Sequence, residues 1–178
     1  MSQRSRKTFQ QLVTLPDGAV PLAEAALLMA CEEYPQLEIS PYIDRLDEIA
    51  ADVQSRMRAG EPPANTIDRM NEVLFGVLGF HGNTEDYYDP RNSFFNDVLE
   101  RRKGVPITLS VVYLEVARRL RLPVAGVGMP GHFLVKYRDG DQEIFLDPFN
   151  RGEILTRENC KERLLGQYGE SFEFSDDL

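Results

Sequence analysis

At Leu122-Pro123 the spacing of apolar residues changes from the period of a helix to that of a strand, and this switch constrains the fold more than any other feature. Before it, apolar residues recur at three- and four-residue steps. Ile43, Leu46, Ile49, Ala50, Val53 and Met57 do so within Ser40 to Ala59, and Ile67, Met70, Val73, Leu74, Val77 and Leu78 within Asn65 to Gly79. Ile107, Leu109, Val112, Tyr113, Val116 and Leu120 repeat the pattern within Pro106 to Leu120, with Pro at the first turn. Stripes of this kind predict amphipathic helices. Pro21 to Tyr34 is dominated by helix formers and ends at Glu-Glu-Tyr-Pro, which predicts a mostly buried helix. Asn92 to Arg102 is also a helix by pattern. After the switch, Val124 to Gly128, His132 to Arg138 and Glu143 to Asp147 read as strands, with Met129-Pro130-Gly131 as a tight turn presenting His132 and Gly140-Asp141 as a hairpin signal. Thr156 to Leu165 returns to a helical pattern, and the acidic Ser171 to Leu178 reads as frayed.

The class this order predicts is α+β. A helical N-terminal subdomain is expected over residues 1–80 and a core with a small antiparallel sheet packed on helices over 81–178, with one continuous domain as the other possibility. The polar segment His81 to Pro90, HGNTEDYYDP, is the expected surface loop between them.

Charge narrows the function. With 20 Lys+Arg against 29 Asp+Glu in 178 residues, the formal net charge is −9. Binding along a phosphate backbone draws its affinity from clustered cations that release counterions, so nucleic acid is not an expected partner. Met1 to Lys7 is basic and polar with no long apolar run behind it, so neither a signal peptide nor a membrane span is expected. Cys31 and Cys160 have no metal-ligand spacing and make no disulfide framework, which points to reduced thiols and the cytoplasm.

The stretch Lys103 to Asp147 orders a Gly-x-Pro turn, a helix, a short strand, His132 at the head of a strand and Asp147 at the end of the next. That order resembles the transglutaminase-like (papain-related) core, in which a Cys opens a helix and a His and an Asp follow on adjacent strands. RNSFFNDVLERRKGVPITLSVVYLEVARRL, PGHFLVKY and FLDPFNRG are similar to its SirB-one-like branch, over roughly Asn92 to Gly152 and more weakly before it. The family's His falls on His132 and its Asp on Asp147. Its nucleophilic Cys falls on Pro106, in Gly104-Val105-Pro106, where the sequence departs from the pattern. Members of that branch commonly continue into a helical, repeat-like segment, so the resemblance implies that this chain is a fragment of a longer protein.

The departure decides the chemistry expected. A thiolate formed beside a His and favoured by a helix N-terminus is what the family's reaction needs, and Pro106 has neither a nucleophilic atom nor an N–H. Two readings follow. In the first, the protein is a non-catalytic relative, a binding or scaffolding unit with a cleft near His132 and Asp147 that takes a protein or a small ligand. In the second, a hydrolase or acyl transferase uses Ser110, Thr108 or a water, with His132 as base and Asp147 as orienter. Asn92 and Asn150 are candidate ligand-binding residues; Asn92-Ser93 is more simply a helix N-cap. The Arg101-Arg102-Lys103 run suits the negative end of a helix better than an anion site. No cofactor is expected, and two ligands without further His or Cys nearby are too few for a zinc site.

Overall fold

The computed structural model describes residues 3–16, 18–58, 60–140 and 142–168. Asp141 of the hairpin signal and the Ser171–Leu178 tail lie outside the described residues. Helices α1 (Gln3–Leu12), α2 (Leu22–Ala30), α3 (Ser40–Ser55) and α4 (Pro63–Asn71) come first. The last runs into a π-helical segment, Glu72–Val77. Then follow strand β1 (His81–Gly82), a 3₁₀ turn (Pro90–Asn92), α5 (Phe95–Arg101), β2 (Lys103–Gly104), α6 (Pro106–Arg119) and strands β3 (Val124–Met129), β4 (His132–Asp139), β5 (Gln142–Asp147) and β6 (Glu153–Leu155). Helix α7 (Arg157–Tyr168) closes the described chain. The fold class is α+β.

Helix α6 is the centre of the molecule because almost every side of it is apolar. Leu109, Val112, Tyr113, Val116 and Ala117 are all buried, packed with Leu46, Ile49 and Val53 of α3, with Val98 and Leu99 of α5, and with Val135 and Tyr137 of β4. Its one deeply buried charge, Glu115, is balanced by Arg118 at 2.9 Å and by Arg119, and accepts the Ala23 N–H at the start of α2 at 3.2 Å. A carboxylate taken from water needs such partners. Burial pushes this carboxyl up, but the arginine bonds outweigh it and hold it below its ordinary range.

Strands β3 to β6 form an antiparallel sheet in the order β3-β4-β5-β6. Pro130-Gly131 closes the first hairpin, Met129 pairing with His132, with Pro in the first central position and Gly131 taking the positive φ of 67° in the second, the residue order a type II turn favours. In the second hairpin Gly140 takes a positive φ of 58° in the first position after Asp139, which pairs with Gln142. The period of two sorts the sheet into faces. Val135, Tyr137 and Leu146 join the core with α6. Val127, Leu134, Phe145 and Leu155 pack on the other side with Cys160 of α7. The sheet is thus enclosed between α6 and α7.

Three local expectations are corrected. The helix expected over Asn65–Gly79 stops being α-helical at Asn71, because Val73, Leu74 and Phe75 are consecutive buried residues that a single 3.6-residue stripe cannot face inward. Wider turns, with Leu78 N–H donating to Val73 O at 2.8 Å, accommodate them. The helix expected from Asn92 begins at Phe95, with Phe94 in its cap position and no side-chain cap. The segment His81–Pro90 is not wholly a surface loop: Gly82, Asn83 and Asp89 are buried, and β1 pairs in parallel with β2.

Candidate functional site

Register brings His132 and Asp147 together. Val135 pairs with Leu146 across β4 and β5; one further step sets Asp147 opposite Leu134, two residues from His132 and on the same face. The imidazole closes the gap, with His132 Nε2 2.8 Å from Asp147 Oδ2.

Asp147 is fully buried and heavily donated to. Oδ1 accepts the N–H groups of Phe149 (3.1 Å) and Asn150 (3.2 Å). Oδ2 accepts Asn150 Nδ2 at 2.8 Å and Arg163 Nη1 at 3.2 Å besides His132. Burial pushes the carboxyl up, yet the bonds from His132 and Asn150 prevail and hold it below the usual carboxylate range. An ionised carboxylate only accepts, so His132 Nε2 carries the proton and, in the neutral ring, Nδ1 is an acceptor. Nδ1 has no protein partner among the described residues, and the His132 side chain is 24% exposed. It lines a cleft of about 330 Å³ with Met129, Pro130, Gly131, Asn150, Arg163 and Leu164.

One wall of the site is aromatic. Phe149 meets the His132 ring edge-to-face at 6.0 Å between centroids, Tyr87 meets Phe149 at 6.1 Å, and the exposed Tyr88 meets Tyr87 at 5.4 Å. Gly82 makes this possible: its N–H donates to Phe149 O at 2.9 Å, and a Cβ there would stand 2.5 Å from the Phe149 ring.

Pro106 opens α6 as its first residue and is buried. Thr108 is also buried; its hydroxyl donates to Asn92 O at 2.8 Å and accepts the Val105 N–H at 3.1 Å. Ser110 is buried with its hydroxyl 3.4 Å from Phe133 O. Neither hydroxyl bonds to His132. Strand alternation separates them further, because Phe133 faces Gly126 and Leu114 on the α6 side whereas His132 shares the α7 side with Asp147.

The asparagines act in different places. Asn92 is fully buried, its Nδ2 donating to Asp86 O and Tyr87 O and its Oδ1 accepting from Asn83. It therefore ties down the segment carrying Tyr87 and does not cap α5, correcting the N-cap expectation. Asn150 belongs to the dyad as a donor to Asp147. The cationic run is taken up by protein groups: Arg101 pairs with Asp89 at 2.9 Å, Arg102 donates to Leu78 O and Lys103 pairs with Glu85. Cys31 and Cys160 are buried, free thiols, and burial pushes both up. Sequence reasoning missed Arg163, since nothing in a charged helical tail marks which of its cations will meet a carboxylate on the sheet. Among the described residues no cluster of three or more His, Cys, Asp or Glu could hold a metal, and no helix is long and apolar enough to cross a membrane.

A helix packed on an antiparallel sheet, with a His heading one strand and an Asp ending the next, is the arrangement that the sequence's resemblance to the transglutaminase-like superfamily implies. Residues 40–178 match that family, and the chain belongs to it. It is 40% identical over 161 residues to a UPF0162 protein of Xylella fastidiosa strain 9a5c, covering 90% of this chain and 57% of that protein. A UPF0162 protein of Pseudomonas aeruginosa is 36% identical over 152 residues, 83% of this chain and 53% of the relative. F-box only protein 21 of Homo sapiens is 39% identical over 116 residues, 61% of this chain and 18% of that protein. The chain thus spans a little over half the length of these two UPF0162 relatives. No solved structure matches it.

Proposed function

We propose that this chain is a non-catalytic transglutaminase-like unit of the SirB-one-like branch, with Pro106 where catalytic members carry their Cys. It acts as a binding or scaffolding module through the cleft beside His132 and Asp147. The observation that carries this reading is that the nearby hydroxyls, Thr108 and Ser110, are buried and spent on main-chain carbonyls, away from the imidazole. A nucleophile needs a base aimed at it. The partner is a protein or a small ligand, the charge of −9 arguing against nucleic acid. Two buried free thiols suit a reducing compartment such as the cytoplasm. The apolar core runs from Ala23 to Leu146, which favours one cooperative unit over separate parts at 1–80 and 81–178.

One observation favours a second reading, a hydrolase that activates water: among the described residues, Nδ1 of His132 is without a protein partner in an open cleft. The same experiment tests both. Purified protein and its His132→Ala variant are assayed on amide, ester and isopeptide substrates, with and without an amine acceptor. Equal, background rates are expected. Turnover that His132→Ala abolishes overturns the non-catalytic reading.

A further inference from the structure

Asp147 and Glu153 are direct cross-strand neighbours in the register of β5 and β6. Two carboxylates so placed repel each other unless a cation stands between them. Arg163 is that cation. Reaching over from α7, it puts Nη1 3.2 Å from Asp147 Oδ2 and Nη2 2.8 Å from both oxygens of Glu153. The groups therefore form a line, His132, Asp147, Arg163, Glu153, in which each carboxylate is held by a cationic or N–H donor. The three donors to Asp147 Oδ2 come from separate parts of the chain: β4, the turn after β5, and α7.

We propose that Arg163 is a positioning residue of the cleft: by bridging Asp147 and Glu153 it holds the carboxylate on His132 and sets how strongly that carboxylate retains a proton on the imidazole. The inference rests on the reading of this cleft as the functional site and deepens it. His132 Nε2 and Arg163 Nη1 donate to the same oxygen of Asp147, so the guanidinium takes a share of the negative charge that faces the imidazole. Because two carboxylates already balance Arg163, the cleft does not offer an unpaired guanidinium to an anion. The ligand chemistry it suits is a hydrogen-bond donor, an N–H or O–H directed at Nδ1. Of the other charges on this side of the sheet, Glu143 pairs with Lys136 at 3.8 Å and with Arg157 at 3.3 Å, and Arg138 stands at the far end of β4 opposite Glu143. Cys160, on the same helix as Arg163, is a buried thiol that burial keeps protonated.

The test is an NMR pH titration of the His132 ring in the full chain, with His81 as internal reference, for the wild type and for Arg163→Met, Arg163→Lys, Glu153→Gln and Asp147→Asn. Arg163→Met is expected to raise the proton affinity of His132 about tenfold, and Arg163→Lys to restore most of the wild-type value. Glu153→Gln should move it the other way, since Arg163 then has only Asp147 to neutralise. Should Arg163→Met fail to fold, Glu153→Gln decides by itself, as it removes only a partly exposed carboxylate. If His132 ignores Arg163→Met and Glu153→Gln but responds to Asp147→Asn, Arg163 merely ties α7 to the sheet and the inference is overturned. If His132 ignores Asp147→Asn too, the reading of the cleft itself falls.

Discussion

Ser110 and His132 work on opposite faces of the same sheet. The Ser110 hydroxyl reaches Phe133 O from the α6 side, at 3.4 Å, while the next residue back along β4 turns its ring to the α7 side and meets Asp147 at 2.8 Å. The pleat of one strand keeps the two side chains apart. The His132–Asp147 pair borders a cleft and is supported by Asn150 and Arg163.

The hydroxyls of α6 should matter for stability and not for the cleft. Thr108 satisfies Asn92 O and the Val105 N–H, so Thr108→Val should destabilise the protein by about 1–3 kcal/mol. Ser110→Ala removes a single long bond and should cost less, under about 1 kcal/mol. Urea unfolding measures both. The reverse ranking, or a change in the His132 titration with either variant, would count against this placement.

Asp147→Asn should be costlier than removing its partner. An amide at this site turns an NH₂ toward donors that need an acceptor, whereas His132→Gln leaves Asn150 and Arg163 still bonded to the carboxylate. A loss of about 1–3 kcal/mol is expected for Asp147→Asn, with less for His132→Gln. Equal unfolding midpoints for the two variants would show that the network around Asp147 carries no stability of its own.

Acid should weaken the fold through Asp89. Hydrogen bonds from the Arg91 side chain hold its carboxyl down to about 2 against the opposing effect of burial, helped by the Arg91 N–H and the charge of Arg101. Unfolded, the group titrates near the reference of roughly 3.9. A carboxyl whose folded value lies below its unfolded one adds stability that is complete above about pH 4 and is lost as pH falls toward 2. Asp147, also held low, acts with the same sign. Unfolding free energies measured between pH 5 and 2 should fall less steeply for Asp89→Asn than for the wild type; parallel curves would refute the assignment.

Gly82→Ala should disturb the site from a distance. Its Cβ would stand 2.5 Å from the Phe149 ring, which must then move from its place against His132. A destabilisation of about 1–3 kcal/mol is expected, together with a shift of the His132 ring resonances. Gly128→Ala is the control: on β3, with nothing within 4 Å of the added carbon, it should leave both unchanged. Matching behaviour of the two variants would remove Gly82 from the account.

Much of this was legible in the chain because it depends on local pattern. Apolar spacing places α3 from Ser40 and α6 from Pro106, and Pro130-Gly131 marks the turn that presents His132. Asn92-Ser93 misled because a short polar pair satisfies N–H groups at many helix starts, and here the long-range demands of Asp86, Tyr87 and Asn83 took the Asn92 side chain instead. The two-residue strands β1 and β2 leave no periodic signal at all; they are joined by the His81 N–H donating to Arg102 O at 3.0 Å and the Asn83 N–H donating to Gly104 O at 3.1 Å, contacts between segments some twenty residues apart.

The amino-acid sequence by itself determined which residues share a face, since the periods of 3.6 and 2 follow from backbone geometry and need no partner. It therefore set the core of α6, the two sides of the sheet, and His132 and Asp147 as positions within one hairpin's reach. Tertiary structure decided which faces meet. Only the packing of α7 on the sheet brings Arg163 between Asp147 and Glu153, and only the pleat of β4 against α6 turns Ser110 away from His132. Contacts of that kind depend on where whole elements settle to bury their apolar sides, and no local run of residues encodes them.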